Sequence, residues 1–266
     1  MSPLITLTTD FGYKDPFVGE MKGVILSINP QVVPVDITHD IDPQDIQEGA
    51  LLIGESHRYF PKGSIHVVVV DPGVGSGRRA VIVEAGGHFF VGPDNGVFSA
   101  VLSSPESARI IHIVEEKYVL ALRSPTFQGR DVFGPAAAWL SRGVALEEFG
   151  PRIADPVRIA LSQPRREGGR IIGEVIHIDR FGNAVTNIRR SDLEACGGLL
   201  DAEVKGIPAA RVQHYAQAGE NSLHCLVNSS GRLEFFVNRG DAAERYGIGK
   251  GDRVVLKTDK DRERER

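Results

Sequence analysis

The chain has 266 residues, of which 41% are hydrophobic, enough to bury the core of one large domain or of two smaller ones. Its formal net charge of −4 offers no basic excess of the kind that binding to a nucleic-acid backbone requires. The sequence shows neither a signal-peptide pattern nor an apolar run near the ~18 residues of a membrane span, so we expect a cytoplasmic protein with no nucleic-acid or membrane partner.

Up to about residue 150, strand-like runs alternate with helix-like patterns. The runs "LITLTT", "VVPVDIT" and "IHVVVV" are typical of strands, whereas "PFVGEMKGVILSI" repeats apolar residues at helical spacing after Asp15, a candidate N-cap. A second helix is predicted from Pro43 to Tyr59 and a third from near Asp131. The alternation predicts an N-terminal α/β domain with a largely parallel sheet over residues 1–150.

The rest of the chain differs in composition and in its pattern of apolar residues. Residues 151–170 are rich in proline, arginine and glycine and predict a linker. Residues 171–258 contain short β-branched runs separated by glycines, which predict a smaller C-terminal antiparallel β-barrel domain. Residues 259–266 form a charged tail without apolar anchors. Cys196 and Cys225 belong to no metal-ligand pattern, and we expect no metal site.

Several acids fall at or just past the ends of the predicted strands, namely Asp10, Asp36, Asp71 and Asp94. Ligands of open α/β sheets bind beyond the carboxyl ends of the strands, so these positions favour a functional site there. Aspartate is equally common in turns and helix caps, and the pattern alone leaves both interpretations open.

The stretch "DPGVGSGRR" at residues 71–79 follows a strand, as a phosphate-binding loop would. Its glycines are spaced as GxGxG and a β-branched run follows them, so a dinucleotide-binding loop is excluded. The stretch instead predicts a hairpin-like turn between Val70 and Ala80 that folds Asp71 toward Arg78 or Arg79. Such a pair is more often a plain salt bridge than a catalytic pair.

Six motifs taken together carry a family resemblance. They are "TTDFG" at 8–12, "DPGVG" at 71–75 with the arginines after it, "GPDNG" at 92–96, "TFQGRDVF" at 126–133, "DRFGNAVTNI" at 179–188 and "NSSGRL" at 228–233. In this order they span nearly the whole chain, which resembles the S-adenosylmethionine (SAM) hydroxide adenosyltransferases. These are adenosyl-forming SAM hydrolases related to adenosyl fluorinases and chlorinases.

The resemblance implies hydrolysis of SAM to adenosine and L-methionine by attack of a water-derived oxygen on the 5′ carbon of the ribose. It also implies a homotrimer with its sites between subunits, and neither a metal nor an added cofactor. The implied catalytic residues are Asp71, Arg78 and the residue at position 128, although the adjacent Arg79 leaves the register of the arginine open. A guanidinium can hold a water while a carboxylate orients that guanidinium or accepts the proton.

Position 128 departs from the family, which has histidine where this chain has Gln128. An amide takes no proton at neutral pH, so if the histidine acts as a general base its loss costs about 10²–10⁴ in rate. If the histidine only orients the arginine or the water, Gln128 replaces it at little cost. An engineered substitution that traps substrate and a natural divergence toward a slow enzyme or a binding protein are further explanations.

The resemblance also implies a set of substrate-binding residues. Asp10 would accept hydrogen bonds from the ribose hydroxyls, Asp179 would pair with the methionine ammonium and Asn183 would contact adenine. Ser229 and Ser230 would hold the methionine carboxylate, and Asn238 and Arg239 would contact adenine through the backbone. Asp94 and Gly129 complete the set of substrate-binding residues. The halogenating relatives have arginine where Ser230 stands, which weakens its assignment.

Three other functions compete with SAM hydrolysis. Halide-dependent adenosyl transfer is disfavoured because the halogenating relatives have tyrosine at the position of Asp71. Gln128 leaves open a catalytically silent protein that binds SAM or adenosine. A metal-dependent hydrolase built on Asp10, Asp71 and Asp94 has no other ligand residues to support it.

Overall fold

The computed structural model describes residues 2–103, 108–195 and 201–257. The chain divides after Leu161 into two compact units, which we call unit 1 and unit 2. The residues of the predicted linker, 151–170, are therefore divided between the two units. The predicted tail at 259–266 and Cys196 lie outside the described residues.

Unit 1 is built on a six-stranded sheet with the order β2-β1-β3-β5-β4-β6. Its strands are β1 (Leu4–Thr9), β2 (Val33–Thr38), β3 (Ile65–Val69), β4 (Ala80–Ala85), β5 (His88–Pro93) and β6 (Arg109–His112). Strands β2, β1, β3 and β5 are parallel, and β4 runs antiparallel to both of its neighbours. The predicted α/β class with a largely parallel sheet is confirmed.

The connection from β3 to β4 is not a hairpin, so that part of the sequence prediction is wrong. Strand β5 lies between β3 and β4 and pairs with both, and residues 70–79 therefore cross over its end. A Cβ atom at Gly92 would lie 2.3 Å from the carbonyl oxygen of Val68. Glycine at this position is what allows β5 to lie so close to β3.

In the described part of unit 1, three α-helices accompany this sheet, α1 (Phe17–Ile28), α2 (Ile46–Ser56) and α3 (Gly134–Ser141). The N-cap of α1 is Pro16, not the predicted Asp15, and no side chain caps it. Helix α2 begins later than predicted because Asp45 caps it by accepting the Glu48 amide hydrogen, and residues 57–59 form a separate 3₁₀ turn. Among the described residues no helix is long and apolar enough to cross a membrane, and the cytoplasmic location stays a prediction.

The helices cover both faces of the sheet. Val67 and Val69 belong to one hydrophobic cluster with residues of α1 and α3, whereas Val68 belongs to a second cluster with Ile53 of α2. Successive side chains of a strand point to opposite faces, so β3 is buried on both sides. This double burial explains why its sequence is an unbroken apolar run.

Within its described residues, unit 2 contains eight strands and two short α-helices. They are β7 (Arg165–Glu167), β8 (Arg170–Ile178), β9 (Ala184–Arg189), β10 (Asp201–Val204), β11 (Ile207–Arg211), β12 (Leu223–Val227), β13 (Arg232–Val237), β14 (Arg253–Lys257), α4 (Arg190–Glu194) and α5 (Ala242–Tyr246). Because β14 pairs with β10 and also with β8, strands β8 to β14 close into a barrel. The predicted barrel is confirmed, but it is mixed, since β11 and β12 run parallel.

Two buried histidines face each other in unit 1. His66 and His88 are almost fully buried, with His66 Nδ1 2.8 Å from the hydroxyl of Thr6. Burial lowers the pKa of His66 to about 3 and that of His88 to about 4, with the neighbouring basic groups adding to the effect. Both rings are therefore neutral in the folded protein at any moderate pH.

These depressed pKa values predict acid sensitivity. An unfolded histidine binds a proton near pH 6.5, whereas folded His66 does so near pH 3, so stability is complete above pH 6.5 and falls as the pH drops toward 4. For His66 alone we expect a loss of about 2 kcal/mol between pH 8 and pH 5. Urea unfolding followed by the fluorescence of Trp139, the one tryptophan, measures this loss in unit 1.

The variant His66→Gln removes the titrating imidazole. Between pH 8 and pH 5 its free energy of unfolding should fall by about 2 kcal/mol less than that of the wild type, whatever its stability at pH 8. The matched control is His214→Gln, because His214 is exposed. An equal loss in the wild type and in His66→Gln would contradict the prediction.

Candidate functional site

The carboxyl ends of the four parallel strands lie at one edge of the sheet in unit 1. Asp10 directly follows β1, Asp71 comes two residues after β3, and Asp94 directly follows β5, while Asp36 lies within β2. The acids singled out in the sequence are thus brought to the same edge, which is where open α/β sheets bind ligands.

Asp71 and Arg78 form a closed ion pair at this edge. Arg78 donates from Nε to Asp71 Oδ1 at 2.9 Å and from Nη2 to Asp71 Oδ2. This bidentate geometry fixes the planes of the guanidinium and the carboxylate relative to each other. Only 6% of the Asp71 side chain is exposed. The guanidinium carbon lies 5.2 Å from the ring centre of Phe133, and Asn95 donates to the carbonyl of Val70 at 2.8 Å.

The adjacent arginine belongs to a different network. Arg79 donates from Nε to Asp94 Oδ2 and from Nη1 to Asp155 Oδ1, each at 2.8 Å. The hydrogen bonds that Arg79 donates to Asp155 and Asp94 raise its pKa. The second oxygen of Asp94 accepts the amide hydrogen of Val157 at 2.8 Å. The structure therefore pairs Arg78 with Asp71 and leaves Arg79 and Asp94 to anchor residues 155–157.

The segment that carries Gln128 is held by its own buried acid. Asp131 is fully buried and accepts hydrogen bonds from the Ser124 amide and from Arg130 Nε, both at 2.6 Å. Arg130 also donates to Glu20 of α1 at 2.9 Å, and the bonds to Asp131 and Glu20 raise its pKa. Residues 129–133 form a π-helix ahead of α3, which explains why α3 begins later than the predicted position near Asp131.

Gln128 occupies the N-cap position of this π-helix and is half-buried. Its side chain makes no hydrogen bond to any residue within the described ranges. The neighbouring Gly129 is buried, and a Cβ atom there would lie 3.2 Å from Met21 Sδ and 3.3 Å from the Phe127 ring. The predicted substrate contact of Gly129 would therefore be made by its backbone.

Close backbone packing joins the loop of Asp71 to the segment of Gln128. Gly75 has φ +80°, and a Cβ atom there would lie 2.9 Å from the carbonyl oxygen of Pro125. The glycine spacing predicted a turn here, but the contact of Gly75 with Pro125 could not be read from the sequence. Position 75 needs glycine for both its backbone angle and its neighbour.

A cluster of three aromatic rings, missed in the sequence analysis, joins the same segment to "TTDFG". Phe11, Phe17 and Phe127 have ring centroids 5.1–5.8 Å apart in edge-to-face contacts. Phe11 and Phe127 each belong to one of the quoted motifs, and this was the only indication in the sequence that the two rings are close together. Three motifs that are far apart in the sequence therefore meet at one edge of unit 1.

Asp10 is half-buried and keeps part of its carboxylate available. Its Oδ2 accepts the amide hydrogen of Gln44 at 2.8 Å, and Gln44 adopts the left-handed backbone conformation with φ 69°. Among the described residues Oδ1 of Asp10 has no hydrogen-bond donor. This arrangement leaves an acceptor for the predicted ribose hydroxyls.

In unit 2, Asp179 and Asn183 close the turn between β8 and β9. Asp179 Oδ1 accepts the amide hydrogens of Phe181 and Asn183, and its Oδ2 accepts from Asn183 Nδ2, all at 2.9 Å. The turn fixes both predicted ligand contacts in one hydrogen-bonded unit. It leaves the side-chain oxygen Oδ1 of Asn183 and part of the Asp179 carboxylate for a ligand.

Next to this turn lies a buried acid that the sequence did not reveal. Glu234 is 2% exposed and accepts hydrogen bonds from Tyr215 at 2.7 Å and from Asn228 at 2.9 Å. Burial raises the pKa of Glu234, and the charge of Asp179 adds to the shift. In "RLEFFV" this glutamate alternates with apolar residues, a pattern typical of a solvent-facing position, which hid its burial.

The remaining predicted ligand residues of unit 2 lie in turns and at a strand end. Ser229 is exposed, and the amide of half-buried Ser230 donates to Asn228 Oδ1 at 3.0 Å. Asn238 donates to the carbonyl of Ala218 at 2.7 Å, and Arg239 adopts φ 57° with its side chain 84% exposed. Their binding roles stay predictions.

The acids expected in a metal-dependent alternative are not grouped in the structure. Within the described ranges, the one set of three potential ligands within 4.8 Å of one another is Asp42, Asp45 and Glu48, which does not include Asp10, Asp71 or Asp94. In that set Asp45 caps α2 and Glu48 accepts the amide hydrogen of Asp42 at 3.1 Å.

Both halves of the chain match one protein family. Residues 5–150 match the SAM hydroxide adenosyltransferase N-terminal domain, and residues 173–255 match its C-terminal domain.

Individual relatives agree with that match. The chain is 35% identical to an (R)-S-adenosyl-L-methionine hydrolase of Salinispora tropica, over 95% of this chain and 97% of the relative. It is 36% identical to one of Thermus thermophilus, over 96% and 100%. A fluorinase of an Actinoplanes species is 27% identical over 96% and 97%. A crystal structure of an uncharacterized conserved protein from Thermotoga maritima superimposes with a TM-score of 0.90 at 32% identity, covering 95% of this chain and 99% of that one.

The contact between Gly75 and Pro125 predicts the effect of one methyl group. Gly75→Ala should lower the free energy of unfolding of unit 1 by about 1 to 2 kcal/mol, because the new Cβ is disfavoured by the backbone angle and meets Pro125. Denaturant unfolding followed by Trp139 fluorescence measures the change.

The matched control lies in the same loop. A Cβ atom at Gly77 meets nothing within 4 Å, and Gly77 has no positive φ, so Gly77→Ala should leave stability within about 0.5 kcal/mol. Equal losses in the two variants would show that the close approach at Gly75 does not matter.

Proposed function

Because this chain belongs to the SAM hydroxide adenosyltransferase family, we propose that it hydrolyses SAM to adenosine and L-methionine. The observation that carries the proposal is the closed Asp71–Arg78 pair at the carboxyl edge of the sheet, next to the segment of Gln128. A buried ion pair of this kind supplies a fixed guanidinium where a water can be held.

The reaction is a displacement at the 5′ carbon of the ribose. A water oxygen forms a bond to that carbon as the carbon–sulfur bond breaks, and the electron pair of the broken bond passes to sulfur. The products are methionine, adenosine and one proton. The sulfonium is a good leaving group, so the protein mainly has to position the water and receive its proton.

In this proposal Arg78 holds the water. Two of its nitrogens are bound to Asp71, and Nη1 has no hydrogen-bond acceptor among the described residues. That nitrogen can therefore donate to the oxygen that becomes the new hydroxyl. Packing of the guanidinium on Phe133 keeps this donor in a fixed direction.

Asp71 is the proton acceptor in the proposed set. Arginine remains protonated and glutamine does not ionise at neutral pH, so of Asp71, Arg78 and Gln128 only the aspartate can take the proton. Gln128 then contributes hydrogen bonds alone, as a donor or acceptor for the water. The substrate is held by Asp10 at the ribose and by Asp179 and Asn183 at the methionine ammonium and the adenine.

The direct test is the formation of adenosine from SAM, measured by chromatography. The variant Asp71→Asn should lower kcat by at least about 10²-fold, because it removes the proton acceptor and weakens the hold on Arg78. The matched control is Asp155→Asn, which removes an aspartate–arginine pair that plays no part in the mechanism. Adenosine formation at the wild-type rate by Asp71→Asn would contradict the mechanism.

Gln128 favours one second candidate, a protein that binds SAM or adenosine without turnover, since an amide that takes no proton stands where the family has histidine. Tight binding by calorimetry with no adenosine at enzyme concentrations near that of SAM would establish it. A halogenated nucleoside formed in the presence of fluoride or chloride would instead indicate adenosyl transfer to halide.

The variant Gln128→His separates these possibilities. If the histidine acts as a general base, the substitution should raise kcat by about 10²-fold or more and introduce a rise of activity with pH through the titration of the new imidazole. Gln128→Asn is the control, since it keeps an amide. No change in kcat would mean that position 128 only orients its neighbours.

The relatives named above also suggest the stereochemistry at sulfur. Their names specify (R)-S-adenosyl-L-methionine, and we extend this preference to the present chain. A mixture of both sulfonium epimers, followed by chromatography that resolves them, should lose the (R) form first. Equal loss of the two epimers would show that this chain does not share the relatives' preference for the (R) form.

We further propose a homotrimer in which each site takes its catalytic residues from one subunit and Asp179 and Asn183 from the next. Co-expression of Asp71→Asn and Asp179→Asn subunits would then rebuild intact sites, about a quarter of the total for random assembly. Each variant alone should be nearly inactive. No recovery of activity in the mixture would contradict sites shared between subunits.

A further inference from the structure

His39 is a buried histidine at the carboxyl edge of unit 1 that the proposed mechanism does not use. It is 1% exposed, and its Nδ1 lies 2.7 Å from the hydroxyl oxygen of Thr9, the residue before Asp10. Its Nε2 lies 3.1 Å from Asp36 Oδ1. Asp36 is bound in turn by Lys22 Nζ at 2.6 Å.

The contact with Thr9 is a hydrogen bond, whereas the contact with Asp36 is a close charge contact that does not form one, and together they define the state of the imidazole ring. A carboxylate only accepts, so the imidazole nitrogen that faces Asp36 carries the hydrogen. In the neutral ring Nδ1 is then an acceptor, and the Thr9 hydroxyl donates to it. The same hydroxyl oxygen accepts the amide hydrogen of Phe11 at 3.2 Å. The chain of contacts thus runs from Lys22 through Asp36 and His39 to the turn that contains Asp10.

The backbone of His39 holds the other side of that turn. Its carbonyl oxygen accepts the amide hydrogen of Gly12 at 2.7 Å. The amide that binds Asp10 Oδ2 belongs to Gln44, five residues after His39 along the same connection. Residues on both sides of Asp10, and the Asp10 carboxylate itself, are therefore fixed by the connection that begins at His39.

The surrounding charges are compatible with this arrangement. Burial works to raise the pKa of Asp36, but the nearby Lys22 and His39 outweigh it and lower the pKa. Tyr13 packs the edge of its ring on His39 at 5.1 Å and places its hydroxyl 3.3 Å from Asp36 Oδ2. An apolar residue could fill the space of the imidazole, but it would leave Asp36 and Thr9 without this partner.

We propose that His39 is a positioning residue for Asp10, which it orients through the hydroxyl of Thr9 so that the carboxylate can accept hydrogen bonds from the ribose hydroxyls. This inference rests on the proposed function, specifically on the ribose contact of Asp10. It assigns Lys22 and Asp36 the task of orienting the imidazole. His39 itself touches no reacting atom.

The test compares ligands with and without the ribose hydroxyls. Calorimetry with adenosine and with 2′,3′-dideoxyadenosine should show that the wild type prefers adenosine by about 10-fold to 100-fold, the range for hydrogen bonds to a charged group. Asp10→Asn should lose most of this preference. His39→Gln should lose most of it too, while its Kd for 2′,3′-dideoxyadenosine stays within about twofold of the wild type.

Thr9→Val and His39→Asn keep the test decisive if His39→Gln folds poorly. Thr9→Val has nearly the same shape, removes the hydroxyl alone and should lose the preference for adenosine in the same way. His39→Asn places an amide oxygen near the position of Nδ1 and should retain more of the preference than His39→Gln. The double variant of Asp10→Asn and His39→Gln should lose no more than Asp10→Asn alone.

The outcomes distinguish the ribose contact of Asp10 from the positioning role of His39. If the wild type binds adenosine and 2′,3′-dideoxyadenosine equally, Asp10 does not hold the ribose, and the proposed contact and this inference are both overturned. If the wild type and Thr9→Val show the same preference for adenosine, the role of His39 alone is overturned. Weakened binding of both ligands to the same degree by His39→Gln and Thr9→Val would assign His39 a general structural role and also overturn the inference.

Discussion

Four parallel strands end at one edge of the sheet in unit 1, and the candidate site depends on this constraint. Parallel pairing carries the ends of β1, β3 and β5 to the same side, although the segments that follow them are far apart in the sequence. The loops are then joined by few contacts, the aromatic cluster around Phe127 and the close approach of Gly75 to Pro125. The strands set the location of the site and these contacts set its geometry.

Each arginine near this edge has a carboxylate partner of its own. Arg78 is bound to Asp71, Arg79 to Asp94 and Asp155, and Arg130 to Asp131 and Glu20. A buried charge without a partner would be costly, so such pairing is the condition under which several charges can share one edge. The pairs also have different roles. The ion pairs of Arg79 and Arg130 anchor chain segments, whereas the pair of Arg78 leaves one guanidinium nitrogen without a partner among the described residues.

The sequence predicted the features that depend on local pattern. Strand and helix periodicity indicated the α/β unit and the barrel, and strand-end acids such as Asp71 indicated the edge. The order of strands could not be predicted, because insertion of β5 between β3 and β4 depends on a backbone approach at Gly92 that local pattern does not encode. Likewise the burial of Glu234 and the choice between Arg78 and Arg79 follow from tertiary contacts, which neighbouring residues in the chain do not specify.

The remaining difficulty of the proposed chemistry lies in the two tasks given to Asp71. Its two oxygens accept hydrogen bonds from Arg78. In the proposed mechanism this fork directs the guanidinium toward the attacking water. A proton that arrives on one of these oxygens turns an acceptor into a donor and breaks one arm of the fork. The guanidinium would then lose its direction at the moment when the new hydroxyl forms. A histidine at position 128 that acts as a general base would receive the proton and leave the fork intact, whereas in the proposed mechanism Gln128 leaves both tasks to a single carboxylate.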